Sequence, residues 1–413
     1  MVGRIARFQP EATMHNTFTR LSLWMIALLS GASALGPASM QILLPALPVI
    51  REDFDVSTGV AQLTLSLSML SIAIATLFYG PISDRYGRKP ALIGGTTITL
   101  LGSIFCLSAP TIELLILGRV IQAFGGAVGL VVARAIVRDV YGPQESARII
   151  STLVMVMVVI PMMSPALGGE LMVLFGWRSV FIVIAVFSSL ILLIMSLRLP
   201  ETLAEPVYFQ GLGGMLATFL ELLRSKVFRG YAFSVAFVSV VFFSFISAAP
   251  EIMVSVLNRP ATEYGYYFVV VPAGFMAGNY LSRLYGSHVG IYRMIDIGSK
   301  ISLLAITLTI ALQLAGFRHP LTLFVPIAVA IFGNGLSLPN AQAGAINEFP
   351  RYAGSASGLT GFLQMGLSSV AAQLVAIIYN GTTYPLLFLM FGASLMSLIC
   401  FRNGVGNPAT ITT

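Results

Sequence analysis

Charge is scarce in this chain: only 9% of its 413 residues are Asp, Glu, Lys or Arg, against roughly 25% in soluble globular domains. With 57% hydrophobic residues and a mean hydropathy of +0.90, that deficit excludes a water-soluble protein and points to an integral membrane protein. Cysteine and histidine are scarcer still. Cys106 and Cys400 lie in separate apolar runs, and His15, His288 and His319 fall in tails or loops, so neither a disulfide framework nor a metal site is expected. The apolar runs lack period-two alternation, which argues against a transmembrane barrel. A net charge of +7 does not imply nucleic acid, because the basic residues are spread over short loops instead of forming one patch. No cluster of His, Cys or paired carboxylates falls at membrane depth, so no catalytic centre or cofactor is expected.

Long apolar runs are what the chain has in abundance. Twelve are each long enough to cross the hydrocarbon core as a helix, at about 21–48, 59–79, 91–109, 112–133, 148–174, 179–198, 230–257, 265–285, 297–316, 320–341, 352–379 and 382–401. An all-α membrane protein follows. With both termini cytoplasmic, 18 of the 23 Lys and Arg fall in cytoplasmic loops and tails, four on the other side and Arg119 within a span; that asymmetry orients the chain. A cleaved signal ending near Ala32-Ser33-Ala34 is the weaker reading, since the apolar run continues to Pro48.

The expected organisation is a cytoplasmic tail over 1–20, a six-helix bundle over 21–198, a linker over 199–229, a second six-helix bundle over 230–401 and a tail over 402–413. In the linker, Met215, Phe219, Leu222 and Leu223 share a helical face near Arg224, Lys226 and Arg229. That pattern suits a helix lying in the membrane interface, and a plain connector suits it equally.

Several motifs stand out. Gly80-Pro81-Ile82-Ser83-Asp84-Arg85-Tyr86-Gly87-Arg88-Lys89 places four charges and two glycines in a tight turn between the second and third spans. Gly278 to Gly286 echoes it faintly, with Ser282 where the first copy has Asp84. Two such halves imply a pseudo-twofold axis along the membrane normal and a site between them near the midplane. In the fourth span Arg119 lies among apolar residues, close to Gln122. An arginine at a helix centre costs about 2.5–3.5 kcal/mol on insertion scales, so Arg119 is expected to face a polar cavity unless it snorkels to an interface. The fifth span contains Pro161, Ser164, Pro165, Gly168 and Gly169; Pro165 removes a backbone hydrogen bond and the glycines admit a close neighbouring helix. Met162, Phe242 and Phe245, with the polar Asn334, Asn340 and Gln364, are candidates for the wall of an adaptable pocket.

The first of these runs fits the pattern G-x-x-x-D-R-x-G-R-K and so resembles the helix 2–3 signature of the major facilitator superfamily of secondary transporters. Gly118 to Gly126 is similar to the superfamily's R-x-x-Q-G-x-G motif, with Ala123 in place of a glycine, and Ser164 to Gly169 to its antiporter motif G-P-x-x-G-G, with Ser164 for glycine. Leu44-Pro45-Ala46-Leu47-Pro48, Ala133 to Asp139, Ser247 to Pro250, Pro339-Asn340 and Gly354 to Ser357 narrow the resemblance to the bicyclomycin-resistance (Bcr/CflA) branch.

That resemblance implies twelve helices in two pseudo-symmetric bundles in a bacterial inner membrane, and alternating access with proton antiport exporting small organic compounds. It implies a gating latch at Gly80, Asp84, Arg85, Gly87, Arg88 and Lys89, with Arg138 and Asp139, in which Asp84 pairs with a neighbouring helix end or arginine in the outward-open state. It also implies proton or substrate roles for Arg119 and Gln122. One departure matters: where the branch reads D-M-Y-L, this chain has Gln41-Ile42-Leu43-Leu44, and a glutamine cannot carry the coupling proton. Glu251, after Pro250, takes roughly the pseudo-symmetric place, unless it already lies at the outer surface; Glu170 is a weaker candidate. With Arg119 the only intramembrane cation, neutral or anionic substrates are expected. The alternatives are a dedicated exporter of one metabolite or siderophore and, in another class, a membrane receptor or enzyme. The expected partners are the substrate, protons and lipid, and the expected state is a monomer.

Overall fold

The computed structural model describes residues 23–203, 211–260 and 262–406; the N-terminal tail expected over 1–20, the middle of the linker and most of the C-terminal tail lie outside them. Among the described residues every regular element is helical. The first half comprises α1 (Leu23–Gln41), continued through a 3-10 turn at Leu44–Ala46 into α2 (Leu47–Asp53), then α3 (Thr58–Tyr86), α4 (Arg88–Leu107), α5 (Ile112–Gly126), α6 (Val128–Phe175) and α7 (Ser179–Arg198). A connecting helix α8 (Gly211–Arg224) leads to α9 (Lys226–Ser255), α10 (Glu263–Phe268), α11 (Val270–Val289), α12 (Ile291–Leu314), α13 (Pro320–Asn347), α14 (Ala353–Ile378) and α15 (Tyr384–Val405).

Local chemistry sets many of these boundaries. Ser57, Thr111 and Ser225 accept hydrogen bonds from the backbone N–H three residues on and so cap α3, α5 and α9, satisfying donors that a helix start otherwise leaves unpaired. Although α6 is helical throughout, Arg134 Nη2 lies 3.8 Å from Met157 Sδ, 23 positions later. A straight helix would separate them by about 35 Å, so the chain doubles back and α6 supplies parts of two crossings.

Eleven helical stretches are long and apolar enough to span a membrane. The twelfth expected span, 265–285, falls on α10 and α11. α11 is a 20-residue helix, but Asn279, Ser282, Arg283 and His288 make it more polar than the rest. It packs on α13 as α3 packs on α5, which makes it the twelfth crossing. The other pairings recur between halves in the same way: α4–α5 with α12–α13, α1–α6 with α9–α14, and α4–α7 with α12–α15. The halves meet mainly through α3 against α14 and α6 against α10, themselves a symmetric pair of contacts.

Two sequence expectations are corrected in this frame. The echo of the first loop motif put its turn glycine at Gly286, whereas α11 runs one helical turn further and Gly290, at φ +85°, makes the turn that Gly87 makes at φ +105°. The apolar face of α8 is not laid on the membrane interface: Phe219 and Leu222, flanked by Met215 and Leu223, pack against Phe228, Ala356 and Leu359 of the second half.

Candidate functional site

Between the halves lies a cavity of about 190 Å³ whose wall is drawn from both. Pro37 and Gln41 on α1 and Met157, Pro161 and Met162 on α6 face Ser239, Phe242 and Phe243 on α9, Phe275 on α11, Asn334 on α13 and Gln364 and Met365 on α14. Helix packing in a membrane relies on close backbone approach, and this wall is positioned that way: a Cβ at Gly168 on α6 would strike the Ile42 carbonyl at the end of α1. Ser164 turns its hydroxyl back to the Ile160 carbonyl at 2.8 Å, Pro165 packs beside Gly265 of α10, and Gly169 faces Thr262. Of the side chains named as pocket candidates, Met162, Phe242, Asn334 and Gln364 line the cavity, as do Gln41 and Pro161. Phe245 does not; it is fully buried against Phe324 at a ring separation of 5.2 Å. Asn340 is also elsewhere, donating to Ser282 at 2.6 Å.

Arg119 departs from expectation more consequentially. It is 1% exposed and points into the packing between α1 and α5, donating to the Ser39 carbonyl at 3.1 Å and to Gln122, which in turn donates to Ser103 at 2.7 Å. Its Nε and Nη2 have no partner, and it is absent from the cavity wall. Nor does it snorkel. The expectation that Arg119 faces the cavity therefore fails, and with it the argument for anionic substrates that rested on Arg119.

One end of the interface is laced shut. Arg51 at the end of α2 and Glu251 in α9 form an ion pair across the halves at 2.5 Å. Beside it, Ser66 donates to Gln373 at 2.7 Å, Ser369 to the Ser66 carbonyl at 2.6 Å and Gln373 to the Gly59 carbonyl at 2.9 Å. Tyr266 donates to Glu170 across the symmetric contact. Glu251 thus lies neither on the central cavity nor at the surface: it is 8% exposed, the one buried carboxylate among the described residues. Arg51 escaped sequence reasoning because the two partners are 200 positions apart.

At the opposite end the loop motif gathers its charges. Arg88 donates through Nε to Asp139 at 2.8 Å and through Nη1 to Ser83 at 2.8 Å and to Asp84. All are in the first half, so Asp84, near the end of α3, is held by the arginine that opens α4 and not by a residue of the other half. Lys89 reaches the Ser196 carbonyl at 3.1 Å, Arg85 stacks on Tyr86, Arg138 is exposed, and a Cβ on Gly80 would sit 4.0 Å from Val131. Glu201, just past α7, was not singled out from sequence. Its carboxylate caps α4, accepting from the Arg88 and Lys89 N–H groups at 2.9 and 3.1 Å and from Thr202 and Leu203 at 2.9 Å. An acid directly after a proline at a helix exit, Pro200-Glu201, was the available signal. Partial burial pushes this carboxyl up, but the four N–H donors outweigh it and hold it below the usual carboxylate range. With a lowered folded-state pKa, its contribution is fully present at neutral pH and is lost only as pH falls through and below that range.

Gly87 is doubly constrained. Its φ of +105° is one that L side chains rarely adopt, and a Cβ there would come 2.5 Å from Glu201 Oε2. Gly87→Ala should therefore strain the turn by about 1–3 kcal/mol and displace the Glu201 cap, lowering the transport rate per inserted molecule severalfold. Transport normalised to membrane protein level checks this, and a wild-type rate would show that the turn tolerates the change.

Comparison with known proteins accords with this architecture. The Bicyclomycin resistance protein homolog of Haemophilus influenzae is 27% identical over 89% of this chain and 93% of its own length. Multidrug resistance protein D of Escherichia coli is 29% identical over 89% of this chain and 92% of its own length. A solved bacterial homolog of the human lysosomal transporter Spinster, in an inward-facing and unoccupied conformation, superposes with a TM-score of 0.73 over 92% of this chain and 96% of that one, at 17% identity; that likeness is one of fold. Residues 29–373 match the family profile described as Major Facilitator Superfamily, and with this match across most of its length the chain belongs to that superfamily.

Proposed function

We propose that the protein exports small organic molecules across a bacterial inner membrane by alternating access, driven by proton antiport, and that it acts as a monomer with both termini cytoplasmic. The observation that carries this reading is a cavity walled by both halves and closed off at one end by contacts between them. The names of the two relatives, one for bicyclomycin resistance and one for multidrug resistance, favour export. Orientation rests on charge: on the twelve-span reading of the sequence, 18 of 23 Lys and Arg fall on the side of the Gly87 loop, and the cytoplasmic side carries such an excess. The Arg51 end then faces outward and the present arrangement is inward-facing.

Coupling falls to Glu251 on this reading. Gln41 lines the cavity but cannot ionise, so the acid that relatives of this branch carry there is missing. Pairing with Arg51 requires an ionised Glu251, whereas a proton on Glu251 removes the pair and lets the outer end part. The groups facing it are Arg51, Glu52, whose carboxylate is 3.3 Å from Arg51, and Tyr379.

Accumulation assays in cells lacking other efflux systems, with and without this chain, test the export claim. Lower steady-state levels of at least one compound from a panel of uncharged, cationic and anionic drugs are expected; no difference for any compound would overturn it. Gln41→Asp adds a second check. A carboxylate in this uncharged wall would favour cations electrostatically, so the variant should gain export of lipophilic cations that the wild type leaves inside, measured as uptake into everted vesicles.

A further inference from the structure

We propose, on the export reading above, that the cavity selects uncharged molecules bearing N–H or O–H donors, which the amide oxygens of Gln41 and Asn334 accept from opposite halves. None of the cavity-lining residues is ionisable among those described; Arg119 is turned into helix packing, and Arg134 touches the wall residue Met157 at 3.8 Å without itself being part of the wall. An ion entering here would surrender its hydration and find no counter-charge in the wall itself. That disfavours both signs.

Unsatisfied polar atoms give the wall its hydrogen-bond preference. Buried polar groups in folded proteins are nearly always paired, yet Gln41 Oε1, Asn334 Oδ1 and Ser239 Oγ have no partner, on side chains 8%, 2% and 3% exposed. The Asn334 orientation is fixed from behind: its Nδ2 donates to the Val238 carbonyl at 3.2 Å, so the oxygen is the atom left over. Gln364 presents the opposite polarity. Its Oε1 is taken by Gln342 Nε2 at 3.1 Å, which leaves its own amide N–H group as a donor.

The wall thus offers two acceptors, a hydroxyl of either polarity and one donor, set among Phe242, Phe243, Phe275 and three methionines. A ligand with donors on a compact apolar or aromatic body meets all of these. Because Gln41 belongs to the first half and Asn334 to the second, such a ligand would bridge the halves where an apolar molecule of the same size would leave the oxygens unpaired.

Binding of a matched set to the purified full chain in nanodiscs tests the proposal: phenylbutanamide, its N,N-dimethyl derivative, phenylbutyrate and phenylbutyltrimethylammonium. The primary amide is expected to bind about tenfold more tightly than the dimethyl amide, because only it can satisfy the two oxygens, and both ions more weakly than either. Gln41→Leu should bring the primary amide down to the dimethyl level and leave the dimethyl amide unchanged, with an unaltered thermal unfolding profile. Equal binding of the two amides, tighter binding of either ion, or no binding of the primary amide overturns the proposal. Should everted vesicles nevertheless accumulate ions, export stands and only the donor preference falls; if no compound is transported, both fall.

Discussion

Glu251→Gln is expected to abolish pH-dependent, uphill transport while leaving exchange of substrate down its own gradient close to the wild-type rate. Glu251 is 8% exposed and its charge is answered by Arg51 at 2.5 Å across the interface of the halves. Breaking a buried pair by removing one partner typically costs about 3–5 kcal/mol, an upper figure here because the Arg51 side chain is 27% exposed. Glutamine keeps the size and a hydrogen-bonding oxygen but neither the charge nor the titration. The outer end should then part more readily and no longer respond to protons, while the cavity, which Glu251 does not line, remains intact. A charge-reversed pair, Arg51→Glu with Glu251→Arg, should restore the closed outer end without restoring normal coupling. Cysteine cross-linking across α2 and α9 reads the first effect, and proton-driven efflux at several pH values reads the second. Normal pH-dependent pumping by Glu251→Gln would remove Glu251 from the coupling role and return attention to Asp84, Asp139 and Glu170.

Arg88→Ala should reduce transport at least about tenfold with insertion unaffected, a larger effect than Asp84→Asn, because the loss of one guanidinium strips two carboxylates of their counter-charge. The Arg88 side chain is 9% exposed and tied to Asp139, Ser83 and Asp84, while Glu201 holds the start of its helix from the backbone side. Asp84 alone is more exposed, at 43% of its side chain, and exposed pairs contribute little. Arg88→Lys keeps the charge but not the planar fork that serves three partners, so partial activity is expected. Rates per inserted molecule for the three variants give the ranking; Asp84→Asn losing more than Arg88→Ala would show that Asp84 acts through a contact in another conformation.

The loop motif was legible because its requirements are local. A helix must stop, a glycine must take a positive φ, and charges must gather at the helix ends; Gly87 and its neighbours record all three. The cavity was legible in composition but not in direction. Phe242 and Phe245 are three positions apart on α9, yet one lines the cavity and the other packs on Phe324, because helix rotation is set by neighbours that the local sequence does not name. Arg119 failed for the same reason: its place within a span was anticipated, its burial in helix packing was not. The Arg51–Glu251 pair and the Glu201 cap join residues 200 and more than 100 positions apart, and no local periodicity connects them. In the second half the motif's echo misplaced the turn by one helical turn, since Gly286 and Gly290 suit a helix stop equally in sequence and only Gly290 takes the positive φ.

Transport through the central cavity is tested most directly by uptake into everted membrane vesicles under an imposed pH gradient, comparing the wild type with Met365→Trp. Met365 lines the cavity and is partly exposed, so a larger apolar side chain occupies the space without burying a new charge. Saturable uptake of an uncharged, hydrogen-bond-donating compound is expected in the wild type, with its loss in the variant at equal expression and an unchanged unfolding temperature. Equal saturable uptake by both would contradict it, placing the transport path outside this cavity.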